Sequence, residues 1–371
     1  MVTDHRQYIT FGSPEEPFRL QAGGSLSRVT IAFETWGNLS PERDNLILVT
    51  TGLSASSHAA RHAPDDVPGW WDVLIGPGCF IDTHHWFVVC TNVLGGCFGS
   101  SGPSSLNPAT NRPYALDFPM VTVEDMVHAQ VKVLDHLGVD RIFNVIGSSL
   151  GGMLALQWGA LYPERVRSLC AIAASARSYS FSIAWRAIQR WMVMSDPEWK
   201  GGSYAPGKEP VGGLTQARSL GILSYRSPEE FDQRFDIPTD LSLSFSLEPA
   251  FPVESYLRHN AAKFGRTFDA NSYLYLARAM DFFDLARGMS SLEEGVCRIT
   301  APLLVIGFTS DLLFPIHQQR ELHRILRERG RPVSFHEFHT IHGHDAFLIE
   351  AGRLGRIVRS FLNRISLPEG S

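Results

Sequence analysis

The stretch 144–157, Asn-Val-Ile-Gly-Ser-Ser-Leu-Gly-Gly-Met-Leu-Ala-Leu-Gln, restricts the possible fold more than any other part of the chain. An apolar run ends at Ile146, Gly147-Ser148-Ser149-Leu150-Gly151 fits G-x-S-x-G, and an apolar, alanine-containing run follows. That order predicts a strand, a sharp turn and a helix, with Ser149 held exposed at the turn above a parallel sheet. The flanking glycines suit a turn too tight for side chains beside the serine. On its own the pattern also describes an ordinary glycine-rich strand-to-helix turn. Partners elsewhere in the chain must decide between the two.

Strand and helix signals alternate on both sides of this turn. Residues 28–33, 45–50, 86–90, 168–173, 302–308 and 333–338 read as strands, several apolar enough to be buried on both faces. Helices are expected over 122–137, opened by Thr122 as N-cap, and over 317–329 and 346–365. From about residue 175 to 295 strand signals fade, and stretches rich in Arg, Tyr, Trp and Phe read as helices at 182–194, 214–225, 253–264 and 272–287. The expectation is an α/β-hydrolase fold, a mostly parallel sheet flanked by helices with a helical lid insertion. Its core would be 1–174 and 296–371, and its lid 175–295. A chain of 371 residues has the length for both parts.

Net charge −5 gives no reason to expect nucleic acid or an anionic membrane as partner. The five cysteines are odd in number and lack C-x-x-C spacing, so they read as reduced thiols of a cytoplasmic protein, with no metal expected. The N-terminal residues carry no apolar signal core, and no apolar run approaches membrane-spanning length.

A serine hydroxyl needs an adjacent base to act as a nucleophile at neutral pH, and the base needs an orienting carboxylate. On this fold the three follow one another as Ser, acid, His. Asp311 follows the late strand at 302–308, although a turn-forming aspartate would look the same. The loop before the last helix offers His339, His342 and His344, of which His344 is favoured because Gly343 leaves room for its ring. Two amides should receive the oxyanion. One is the N–H of Leu150; the other comes from Thr51-Gly52-Leu53, with Leu53 taken as the donor.

Several separate blocks resemble the homoserine O-acetyltransferase family. They are Glu34-Thr-Trp-Gly, Gly69-Trp-Trp-Asp, Gly76-Pro-Gly, Asn92-Val-Leu-Gly-Gly-Cys-Phe-Gly-Ser, Gly102-Pro-Ser-Ser-Leu-Asn-Pro-Ala-Thr, Val253-Glu-Ser-Tyr-Leu and Gly343-His-Asp-Ala-Phe-Leu. The resemblance covers nearly the whole chain. It implies a triad of Ser149, Asp311 and His344 and transfer of an acyl group from acyl-CoA, a substrate rather than a cofactor, to a small hydroxy amino acid. It further implies that Arg218, Tyr225 and Asp345 hold that amino acid, and that two copies pair through the lid. Without it, Arg218 would read as a solvated helix residue and Asp345 as an N-cap.

Departures from the usual pattern point to specificity. The loop 51–59 is longer than the common Thr-Gly-x-x-His form, and the lid around Arg186 differs from that of many homoserine acetyltransferases, which have an Asn near that position. Both features resemble a branch that acylates L-serine, in some members from succinyl-CoA. Ala55, Ser56, Ser57, His58 and Arg186 are therefore expected to shape the pocket, with Arg186 as cation for a succinyl carboxylate. Leu313 argues the other way, since homoserine succinyltransferases resemble one another in an arginine there. Serine or homoserine as acceptor and acetyl or succinyl as acyl group stay open, and an esterase or thioesterase on the same triad is the rival activity.

Overall fold

The computed structural model describes residues 5–235 and 251–366, so part of the lid segment, 236–250, lies outside the described residues. Its central sheet has strands β1 (Gln7–Phe11), β2 (Val29–Trp36), β3 (Leu46–Thr50), β4 (Phe87–Thr91), β5 (Asn144–Ser148), β6 (Leu169–Ile172), β7 (Leu303–Phe308) and β8 (Val333–Phe338). They lie in the order β1-β2-β4-β3-β5-β6-β7-β8. The pairs β1–β2 and β2–β4 are antiparallel and every later pair is parallel.

Alternation along the inner strands builds a core on each face. In β3, Leu46 and Leu48 face one apolar layer while Ile47 and Val49 face the other. The first layer is closed by helices α1 (Val123–Leu137) and α2 (Leu150–Leu161). Thr122 caps α1 in a reciprocal capping box with Asp125, and Gly138 ends it in the left-handed conformation. Residues 150–160 of α2 are all buried, as an apolar helix rich in leucine and glycine beneath the sheet's centre requires.

Between β6 and β7 the described residues form helices α3 (Ser180–Met194), α4 (Val211–Tyr225), α5 (Pro228–Arg234), α6 (Pro252–Gly265), α7 (Ala270–Asp281) and α8 (Leu292–Cys297). The C-terminal part adds α9 (Ile316–Glu328), α10 (Ala346–Ile349) and α11 (Ala351–Ser366). Leu354, Val358, Phe361 and Leu362 of α11 close the second apolar layer.

Three elements differ from the sequence expectation. β1 was not anticipated; it is a short edge strand with one buried residue, Ile9, too little apolar signal to stand out. The helix expected over 272–287 stops at Asp281, because Phe283 and Leu285 instead exchange backbone hydrogen bonds with Ser178 and Ala176. The closing helix breaks at Glu350 into α10 and α11.

Candidate functional site

β5 ends at Ser148, and Ser149 turns the chain into α2 with φ 58° and ψ −123°, a strained conformation for a non-glycine residue. The packing that holds it is tight. A Cβ on Gly151 would sit 2.2 Å from the carbonyl oxygen of Thr50, and one on Gly147 would sit 2.1 Å from the Thr50 hydroxyl. That hydroxyl spans the turn, its one hydrogen within reach of the carbonyls of both Ile146 at 3.1 Å and Gly151 at 2.8 Å. Neighbouring β3 thus fastens both ends of the turn, and Ser149 alone carries the strain.

His344 and Asp311 arrive from the loops after β8 and β7. His344 Nδ1 lies 2.7 Å from Asp311 Oδ2, and both side chains are buried. Asp311 Oδ1 accepts the N–H groups of Leu313 and Phe314, each at 2.8 Å. The turn-forming and ring-orienting uses of this aspartate, alternatives in the sequence, are both present, one on each oxygen. Burial alone would lower the His344 pKa, but the Asp311 charge and hydrogen bond outweigh it and raise it above the ordinary 6.5. The ring stacks on Phe314 and meets Phe347 edge-on. Of the other loop histidines, His339 is exposed and His342 Nδ1 lies 3.6 Å from Glu230, so neither approaches Asp311 in this way.

Ser149 and His344 line one cavity of about 210 Å³ with Leu53, Ala55, Arg186, Arg218, Tyr225 and Asp345. Leu150, the residue after Ser149, opens α2, so its amide belongs to the helix N-terminus behind the serine. Ser56, Ser57 and His58 do not line the cavity. Ser57 is fully buried and donates to Glu34, and His58 bonds Glu34 and the Val67 carbonyl. Expecting the whole longer loop to shape the pocket was therefore too broad: after Ala55 the chain turns away, drawn by the buried Glu34 carboxylate.

The charged groups of the cavity differ in how far they are satisfied. Arg218 lies over the rings of Tyr225 (5.1 Å) and Phe264 (4.7 Å) and has no ion pair among the described residues. Asp345 pairs with Arg226 at 3.1 Å; burial raises its pKa, opposed by Arg226, His344 and Arg218. It stands at the start of α10 but accepts no capping hydrogen bond there. Arg186, 4% exposed, gives Nε to Asp281 at 2.7 Å and Nη2 to Ser178 at 3.0 Å, while its buried Nη1 has no hydrogen-bond partner among the described residues. Arg190 at 2.6 Å and Arg278 at 3.6 Å share the same aspartate, leaving a surplus of positive charge. A guanidinium that lines a cavity beside such a surplus suits an anionic ligand.

Sequence reasoning passed over Trp70, Gln189, Tyr273 and Leu348, which also line the cavity. Trp70 was legible only as part of an aromatic patch; its Nε1 donates to the Ser56 carbonyl, which sets the ring as a wall.

Comparison with known proteins matches residues 45–343 to the alpha/beta hydrolase fold family. A serine O-succinyltransferase of Litchfieldella anticariensis is 50% identical over 366 residues, covering 97% of this chain and 99% of that protein. A homoserine O-acetyltransferase of Symbiobacterium thermophilum is 46% identical over 378 residues, covering 100% and 98%. Among solved structures, the homoserine O-acetyltransferase of Bacillus anthracis superimposes with TM-score 0.89 at 30% identity, covering 98% and 99% of the two chains. Esterase E22 does so with TM-score 0.88 at 28% identity, covering 96% and 100%.

Proposed function

Since the chain belongs to the homoserine/serine O-acyltransferase family on the α/β-hydrolase fold, we propose that it is a serine O-succinyltransferase, moving a succinyl group from succinyl-CoA to the side-chain hydroxyl of L-serine. The carrying observation is that Arg186, one of three arginines around the single Asp281 carboxylate, lines the cavity that also holds Ser149 and His344. The 50% identical relative, itself named for serine O-succinyl transfer, supports the same reading.

Ser149 Oγ attacks the thioester carbonyl, and His344 takes its proton and passes it to the departing CoA sulfur. The amides of Leu150 and Leu53 receive the oxyanion. The acyl-enzyme then meets the serine hydroxyl, deprotonated by His344; the new ester leaves and Ser149 regains its proton. Arg218 receives the amino acid's α-carboxylate, Asp345 its α-ammonium, and Tyr225 packs beside both. With 1–174 and 296–371 as core and 175–295 as lid, the described lid helices α3, α4 and α7 wall the cavity and keep water from competing for the acyl group.

Two copies pair through the lid, where Phe181 and Trp191 of α3 are 57% and 62% exposed. Sedimentation as a monomer at micromolar concentration would contradict this. No helix among the described residues is long and apolar enough to cross a membrane, and the free cysteines suit a cytoplasmic setting.

CoA release measured with succinyl- or acetyl-CoA and serine or homoserine tests the proposal. Fast, serine-dependent release from succinyl-CoA is expected. A preference for acetyl-CoA or homoserine would overturn the substrate assignment, and equal release with no acceptor would favour an esterase or thioesterase. The pH profile gives a second check. A base must be unprotonated, so kcat/KM should fall on the acid side with a midpoint above 6.5, where Asp311 holds the His344 pKa. Asp311→Asn should shift that midpoint down and slow turnover by about 10⁴-fold; an unmoved midpoint would remove His344 as the titrating base.

A further inference from the structure

Glu34 lies in β2 at 2% exposure, and a buried carboxylate must be compensated. Its Oε1 accepts from the Ser57 hydroxyl at 2.8 Å. Ser57 is fixed in turn by Asn92, which accepts the Ser57 N–H at 2.6 Å and donates to its Oγ at 3.1 Å. The other oxygen, Oε2, meets two imidazole nitrogens, His58 Nδ1 at 2.9 Å and His62 Nε2 at 2.9 Å.

The tautomer of His58 is constrained by its far side. Nε2 lies 2.7 Å from the Val67 carbonyl, which can only accept, so Nε2 carries hydrogen. In neutral His58 the Nδ1 lone pair then points straight at a carboxylate oxygen. A cation has to stand between them, either a second proton or a metal ion.

We propose that Glu34 Oε2, His58 Nδ1 and His62 Nε2 form a binding site for a divalent transition-metal ion of the zinc type. The three ligand atoms lie within 4.8 Å of one another, so the two imidazoles need only swing toward each other for one ion to stand about 2.0–2.2 Å from each atom. Two histidines and one glutamate are a known zinc ligand set, with water in the remaining position. The surroundings are those of a metal site: a backbone carbonyl holds the far nitrogen of one histidine, and a hydroxyl holds the spare oxygen of the carboxylate. The His62 ring is fixed between Trp36, stacked at 4.8 Å, and His5, stacked at 4.1 Å. The histidine side chains keep 25% and 13% exposure, which leaves a way in.

The ion would clamp the loop after β3 to β2. Ser56 in that loop accepts from Trp70, a wall of the cavity, so the clamp reaches the site through one hydrogen bond. Cysteine spacing, the ground for expecting no metal, is blind to a set drawn from a strand and the His58-x-x-x-His62 segment.

The full chain, stripped by chelator, reloaded with Zn²⁺ or Co²⁺ and freed of excess by gel filtration, is expected to keep one ion per chain by atomic emission. The cobalt form should show ligand-field absorption. Glu34→Gln and, with the buried carboxylate left in place, His62→Gln are expected to weaken binding at least about tenfold. Folded wild type that keeps neither metal overturns the proposal. So does His62→Gln that keeps as much metal as wild type, because the ion would then be held without this histidine.

Discussion

Ser149→Ala is expected to lower serine-dependent CoA release by about four orders of magnitude or more, with the protein still folded. The size follows from what the serine would supply. Without Oγ the acyl group has no covalent carrier, and CoA release depends on direct attack of the acceptor hydroxyl on the thioester, with no acyl-enzyme to divide the step in two. The fold should tolerate the change, because alanine is smaller than serine and the turn is held by Thr50 and by Gly147 and Gly151. Alanine at φ 58° carries the same backbone strain as serine there. Intact-mass spectra after a brief mix with succinyl-CoA should show a succinyl adduct on wild type and none on the variant. An adduct that persists on Ser149→Ala would place the nucleophile elsewhere; release that survives without any adduct would replace the ping-pong route by direct transfer.

Much of this arrangement was legible before any coordinates, and the reason is local. The turn at 147–151 is written in consecutive residues, and the buried strands β3, β5 and β7 announce themselves as unbroken apolar runs. Asp311 and His344 were legible through chain order, because each follows a strand whose end reaches the same edge of the sheet. What depended on three-dimensional charge balance was not legible. Nothing near His58 in sequence says that Glu34, a strand and a loop away, pulls its ring from the pocket. Nor does the lid sequence show that Arg186, Arg190 and Arg278 converge on one Asp281. Helical spacing places residues 186 and 190 on one face, but only tertiary packing brings in 281. The same limit separates Ala55, which lines the cavity, from Ser56 to His58, which do not.

Arg186 decides the acyl group in this reading, so Arg186→Met is expected to change donor preference rather than activity as such. A charge-assisted hydrogen bond is worth about 1.5–3 kcal/mol, or roughly 10- to 150-fold. The specificity constant for succinyl-CoA should fall by that factor. Acetyl-CoA presents no second carboxylate and should change by less than about threefold. Methionine keeps a long apolar stem, and Asp281 retains Arg190 and Arg278, so the buried carboxylate is not orphaned. Arg186→Lys separates charge from geometry, since an ammonium restores the charge but not the fork that serves Asp281, Ser178 and the ligand together. Partial recovery with succinyl-CoA is therefore expected for lysine. Equal losses with both donors in Arg186→Met would mean that this arginine only braces α3 against α7. Acyl choice would then have to be sought elsewhere along the cavity, beginning with Leu313, whose apolar side chain lines it without offering a charge.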